Sequence, residues 1–225
     1  MHNPLLDTPL GQLACEIPGA TMVLRRHQLD FCCGGQQRLG DVLRQRGQDP
    51  QPLLDELQAL GRQAQPATDW RSQPLPVLIE HILGRYHDRH RRQLPELIRL
   101  ARRVEQVHGG RPGCPEGLAE HLDGMLQELE SHMLKEEQIL FPMIQQGLGS
   151  QAGGPLAVMR FEHDQHGEAL AGMVALSHGM QPPAHACNTW RALYSGLREL
   201  HEDLTEHIHL ENNILFPRAE RGVAA

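Results

Sequence analysis

Large aromatic side chains are scarce in this 225-residue chain, which holds four Phe, two Tyr and two Trp. A buried core must therefore be built mainly from Leu, Ile, Val, Met and Ala, a composition that suits packed helices. Long apolar runs are missing as well, and none approaches the 18 or so residues that span a bilayer. The opening segment, MHNPLLDTPLGQLACEIPG, lacks the basic start and apolar centre of a secretory leader, so none is expected. Basic charge is in deficit: 21 Lys and Arg against 28 Asp and Glu leave a formal charge of -7, a poor basis for non-specific nucleic-acid binding. Cysteine is sparse and irregular, at Cys15, Cys32, Cys33, Cys114 and Cys187, with no paired CxxC framework for zinc or disulfides. A reducing cytoplasm is the expected compartment.

Histidine is plentiful instead, at 15 residues. Two regions can be told apart. Residues 1–72 read as a small helical domain. Leu10, Leu13, Ile17, Thr21 and Leu24 keep a helical stripe that Pro18 should split, and Asp7-Thr8-Pro9 looks like a cap with proline in the first turn. DFCCGG breaks that pattern. Further helices are expected around Leu39–Leu43 and Leu53–Leu60, before a linker, QAQPATDW. Residues 73–225 carry long helical runs, expected at about 75–108, 115–145, 154–178 and 186–213. HGGRPGCP, GLGSQAGG and GMQPPAHA separate them. The fold class is all-α: an up-down four-helix bundle preceded by a small helical domain.

The second region repeats itself. YHDRH and SHMLKEEQILFP in the first half return as EHDQH and EHIHLENNILFP in the second. His87 recurs as His163, a shift of 76; His132, Glu136, Phe141 and Pro142 recur as His207, Glu211, Phe216 and Pro217, a shift of 75. Each half is a helical hairpin, and two hairpins make a bundle with an approximate two-fold axis.

His132 and Glu136 lie one turn apart on one helical face, as do His207 and Glu211. Folding at HGGR brings His87 level with His132, and folding at GLGSQ brings Glu136 level with His163. His163 and His207 centre near the third break, with an offset of about a turn. Six residues, His87, His132, Glu136, His163, His207 and Glu211, can thus converge in one layer. Imidazole and carboxylate suit iron, manganese or zinc. Ligands supplied with two-fold symmetry suit two ions, each with two histidines, bridged by Glu136 and Glu211; iron is preferred.

His90 and His166 are also repeat-matched, as alternative ligands or as neighbours of the ligands; His87 and His163 are preferred. Asp88 and Asp164 either orient imidazoles or face solvent. His209 falls on a different face, and His81, His121, His178 and His201 read as ordinary. Phe141-Pro142 and Phe216-Pro217 are expected to end or kink their helices, with each Phe packing across the bundle.

Together these motifs resemble the hemerythrin-like bundle, and the front segment with LDFCCGG resembles that of the bacterial repair of iron centres proteins. The resemblance covers nearly the whole chain. It implies a cytoplasmic non-haem di-iron protein, with two oxo-bridged irons, that helps restore iron–sulfur clusters damaged by nitric oxide or oxidative stress. The means are iron donation, nitric oxide reductase-type chemistry, or both. Implied partners are damaged iron–sulfur proteins and nitric oxide or oxygen, with no nucleic acid and no membrane, for a monomer or homodimer. The symmetric four-His, two-Glu set argues against reversible oxygen carriage. The other reading is an oxygen or nitric oxide binding or sensing protein without repair activity. Glu162 and Glu128 are proton-path candidates beside the histidines. Cys32 and Cys33, next to Gly34 and Gly35, read from spacing either as accessible docking, redox or nitric oxide-reactive thiols or as small buried hydrophobes, and the resemblance favours the first. Cys15, Cys114 and Cys187 read as packing residues.

Overall fold

The computed structural model describes residues 3–62 and 68–222, so part of the expected linker, at 63–67, lies outside the described residues. Four short helices come first: α1 (Leu10–Glu16), α2 (Ala20–Arg26), α3 (Leu39–Gln45) and α4 (Gln51–Arg62). The long helices follow. α5 runs through Leu75–Ile82, Leu83–His87 and Asp88–His108. α6 runs through Leu118–Lys135, Glu136–Leu140 and Phe141–Gln145. α7 is Gly153–Leu176, and α8 runs through Asn188–Leu210, Glu211–Leu215 and Phe216–Glu220. Among the described residues there is no β-strand, and α5 to α8 pack in a ring, each against its two neighbours in the up-down order expected.

Two apolar clusters fill the bundle. One, at the end where α5 meets α6, contains Leu94, Leu97, Leu122, Leu129, Trp190, Tyr194 and Leu204, and continues into the core of α1 to α4. The other, at the opposite end, contains Leu78, Ile79, Phe141, Leu156, Leu215 and Phe216. Between them lies a belt of fully buried polar side chains: His87, His132, Glu136, His163, His207 and Glu211.

At this height three of the four long helices depart from α-geometry. Leu83–His87, Glu136–Leu140 and Glu211–Leu215 are single π-helical turns, closed by the N–H of Asp88 to Leu83 O, of Phe141 to Glu136 O and of Phe216 to Glu211 O. Such one-residue expansions cluster at functional sites. Of the two expectations for Phe-Pro, that it ends or kinks its helix, they overturn the first. Pro142 and Pro217 sit in the first turn of a new α-helical segment, where the missing N–H is tolerated. α8 therefore runs on to Glu220 rather than stopping near 213.

The front segment splits after Glu16, as expected, with Gly19 left-handed at the start of α2. Its expected cap is different. Pro9 itself occupies the N-cap of α1, and the N–H groups of Leu10 and Gly11 donate to Gln37 O and Gly35 O. The loop after CCGG thus satisfies the helix end that no side chain caps. The same loop docks on the π turn of α8. Asn213 Nδ2 donates to Phe31 O at 3.0 Å, and Asn212 Nδ2 to Cys32 O at 3.0 Å. Contact is close enough to require glycine: a Cβ on Gly35 would lie 2.7 Å from Phe31 O and 2.6 Å from Asn213 Oδ1. No helix among the described residues is long and apolar enough to cross a membrane.

Candidate metal centre

The six belt residues form two overlapping sets. His87, His207, Glu136 and Glu211 offer one group of ligand atoms within 4.8 Å of one another, and His132, His163, Glu136 and Glu211 offer another. The imidazoles pair across the bundle, with Nε2 atoms 3.2 Å apart in both His87–His207 and His132–His163. Glu136 Oε2 is 3.4 Å from Nε2 of both His87 and His132; Glu211 lies 3.1 Å from His163 Nε2 and 3.2 Å from His207 Nε2. Each carboxylate therefore spans both sets.

The outward ring nitrogens break the symmetry. His87 Nδ1 bonds Glu137 Oε1 at 2.8 Å, and His163 Nδ1 bonds Asn212 Oδ1 at 2.8 Å. Glu137 and Asn212 are 75 apart, the repeat interval, so one position holds a carboxylate in one half and an amide in the other. His132 Nδ1 bonds Glu162 Oε2 at 2.9 Å, and Glu162 also pairs with Lys135. Its repeat counterpart is Tyr86, whose ring stacks on His207 at 5.4 Å and 3°, while His207 Nδ1 has no hydrogen-bond partner. Each set thus receives one carboxylate from outside. Such partners fix ring orientation and raise ligand basicity. Phe141 stacks on His87 and Phe216 on His163, closing the belt on the side of the second apolar cluster.

Burial and then the neighbouring imidazole lower His87 to about 4, and the same causes hold His132 well below its ordinary value. Burial, then the charge of Glu211, pushes Glu136 well above the usual carboxylate range. Burial would raise Glu211 too, but His207 and His163 draw it well below. Burial thus favours the neutral form of His87 and His132, the form a metal ligand requires. All four oxygens of Glu136 and Glu211 are buried without a hydrogen-bond partner, a costly arrangement for a helical core. Two cations between the carboxylates would relieve it, so the residues fit a dinuclear centre.

The other sequence candidates are distributed as follows. Glu128 is exposed on α6, outside the belt, as are Asp88 and Asp164 on their helices. Cys33 is half-buried, its Sγ 3.4 Å from His163 O and 3.7 Å from Cys32 Sγ. Cys32 is buried, not accessible, and its contact with Cys33 together with burial pushes its thiol up. The Asp30 carboxylate holds this loop, accepting from the N–H groups of Cys33 and Gly34 at 2.9 Å each. Cys187 is exposed at the start of α8, not a packing residue, because its Sγ lies outside the core beside His108 Nε2 at 3.3 Å. Glu137 and Asn212 were missed by sequence reasoning. The signal was present, since both follow the repeated glutamate, but they match in place and not in identity.

A bundle that brings two sets of two histidines and two shared carboxylates into one buried layer defines a dinuclear cation-binding protein. Comparison with known proteins agrees. The model for the hemerythrin HHE cation binding domain matches residues 78–219, and the ScdA_N model, a domain of unknown function, matches residues 6–61. Proteins called iron-sulfur cluster repair protein YtfE, from Yersinia pseudotuberculosis (serotypes O:1b and O:3) and Yersinia pestis bv. Antiqua, are 56% identical over 213 residues. The match covers 95% of this chain and 96% of each relative. The chain belongs to the YtfE family of hemerythrin-domain proteins.

Proposed function

We propose that this protein is a non-haem di-iron protein that restores iron–sulfur clusters damaged by nitric oxide or oxidative stress. The observation that carries the reading is the buried layer itself, in which Glu136 and Glu211 are shared by two histidine pairs and have no other partner. The name of the relatives, iron-sulfur cluster repair protein, supports the activity. In this reading His87 and His207 would hold one iron and His132 and His163 the other, Glu136 and Glu211 would serve both, and the pair is expected to be oxo-bridged.

When ferrous, the two irons supply the two electrons that, with two protons, convert two nitric oxide molecules to nitrous oxide and water. The chain's residues position and insulate that chemistry. Glu137, Glu162 and Asn212 orient three of the imidazoles, while Tyr86, Phe141 and Phe216 wall the belt. Glu162 is the better proton-path residue, since it bonds His132 Nδ1 and reaches Lys135, whose side chain is 40% exposed. Glu128 has no such link and is set aside.

Iron donation is the second arm of the same function. A site of imidazole and carboxylate, without thiolate, releases ferrous iron more readily than ferric. Residues 1–72 act with residues 73–225 here: Asn212 ties His163 Nδ1 to the Cys32 carbonyl, so the thiol pair sits at the edge of the centre. In this reading the thiols serve the damaged cluster, the partner is an iron–sulfur protein, and the compartment is the cytoplasm.

Mössbauer spectroscopy of anaerobically purified protein, before and after nitric oxide, tests the centre. Two bridged irons that become diferric as nitrous oxide forms support the reading; nitric oxide consumption without nitrous oxide removes the reductase arm. Incubation with an apo iron–sulfur protein and sulfide tests donation, which fails if the iron stays on the bundle. A Cys32→Ala/Cys33→Ala variant with full iron and undiminished repair would remove the thiols from the mechanism.

A further inference from the structure

Two buried histidines are left over by the metal layer. His90 on α5 is 0% exposed and His166 on α7 is 4% exposed. Neither ring nitrogen of His90 has a hydrogen-bond partner, nor has Nε2 of His166. An unpaired polar group in a core is costly and calls for a partner. Here the two instances occupy equivalent positions of the repeat.

Their place follows from the direction of the helices. His90 and His166 come three residues after His87 and His163, about 4.5 Å further along α5 and α7. Glu136 and Glu211 come four residues after His132 and His207, but on α6 and α8, which run the opposite way. The carboxylates therefore lie on one side of the four imidazoles, and His90 and His166 on the other. Ring contacts agree. His90 lies 5.5 Å from His207 at 30°, beside one ligand set, and His166 lies 4.9 Å from His132 at 87°, beside the other. Neither belongs to a metal-binding set, which leaves them free to serve something else.

We propose that His90 and His166 form a donor pair that receives a small lone-pair ligand, such as nitric oxide, azide or nitrite, on the side of the centre opposite Glu136 and Glu211. Each imidazole donates one N–H to an outer atom of that ligand, His90 from beside His207 and His166 from beside His132, so that a two- or three-atom molecule is held between them. Both residues are contact residues for the ligand and not for the metal. The inference rests on the di-iron reading above.

The test compares wild type with His90→Leu, His166→Leu, the double Leu variant and the corresponding Gln variants. Iron per chain and the affinity of the ferric protein for azide are measured, together with the azide stretching frequency. Two irons should remain in every variant. Azide affinity should fall about tenfold for each Leu, as expected for one hydrogen bond, with a shifted stretch, and Gln should restore part of the loss because its amide still donates. Unchanged affinity and stretch in the double Leu variant with two irons would overturn the proposal. Loss of an iron from a single Leu variant would overturn it too, by making that histidine a ligand. Wild type that takes up no iron would instead overturn the di-iron reading. If the Leu variants do not fold, nitrogen NMR of zinc-loaded wild type decides. Azide should shift two imidazole N–H signals beyond those of the four ligands, and no shift means no donor pair.

Discussion

The unequal outer partners of the two ligand sets predict that one metal can be loosened without the other. Replacing Glu137 by Ala removes the acceptor 2.8 Å from His87 Nδ1 and leaves that nitrogen unpaired beside the Phe141 ring. Burial would raise Glu137, but Arg91 and His87 hold it below its usual range, so it is an ionised carboxylate accepting from the imidazole it orients. Loss of such a partner costs 10- to 100-fold in metal affinity, about 1.4–2.7 kcal/mol. Arg91 is not stranded by the change, because its guanidinium keeps three hydrogen bonds of 2.9–3.2 Å to Glu130. The loss should fall on the metal that His87 and His207 are proposed to hold. His132 and His163 keep Glu162 and Asn212, so the second metal should change less than about threefold. Glu137→Gln retains an acceptor oxygen and should recover most of the affinity. Two-step competition against a chelator, read as metal per chain, gives both constants. Simultaneous release of both metals, or no change at either, would refute the assignment of separate outer partners.

Further outcomes follow from the same geometry. Glu136→Ala should abolish both metal positions, whereas His87→Ala should retain one metal per chain, checked by elemental analysis. Gly35→Ala puts a Cβ against Phe31 O and Asn213 Oδ1. It should cost about 1–3 kcal/mol and speed labelling of Cys33, read by thermal melts and a thiol reagent. His209, buried against Phe31 and held at about 4 by that burial, stays neutral in the folded protein while the unfolded chain protonates near 6.5. Its contribution is complete above pH 6.5 and is lost as pH falls toward 4, by up to about 3 kcal/mol, with no further loss below. Urea unfolding of metal-free protein should show a flatter acid limb for His209→Gln; equal limbs would count against this.

The four long helices and their hairpin order were legible because their apolar stripes are long and their breaks carry Gly and Pro. α7, expected at 154–178, spans Gly153–Leu176. The six belt residues were legible for a different reason: a repeat with two antiparallel folds converts spacing into height, and height decides which side chains meet. What spacing cannot convey is the partner of a partner. Asp88 and Asp164 match in identity yet face solvent, while Glu137 and Asn212 differ in identity yet do the same task. The burial of Cys32 was hidden too, since it depends on the front segment resting on the π turn of α8, a contact between residues some 180 apart.

The π turns themselves left no trace in the pattern of apolar residues. Adjacent buried pairs do not mark them, since Leu97-Ile98 and Leu193-Tyr194 are buried in regular α-helix just as Tyr86-His87, Leu140-Phe141 and Leu215-Phe216 are at the turns. Proline is not the common cause, because Leu83–His87 has none; the shared feature is the buried layer of His and Glu, with His87, Glu136 and Glu211 each in a turn. On α5 the turn presents His87 and the residue beside it, Tyr86, to the interior together. α7 provides the contrast. It carries His163 without a π turn, and the residue before its ligand, Glu162, stays 17% exposed and reaches sideways to His132. On α5 the matching residue, Tyr86, is brought in to lie flat on His207. One repeat position thus serves as a carboxylate link toward the surface in one half and as an aromatic wall in the other.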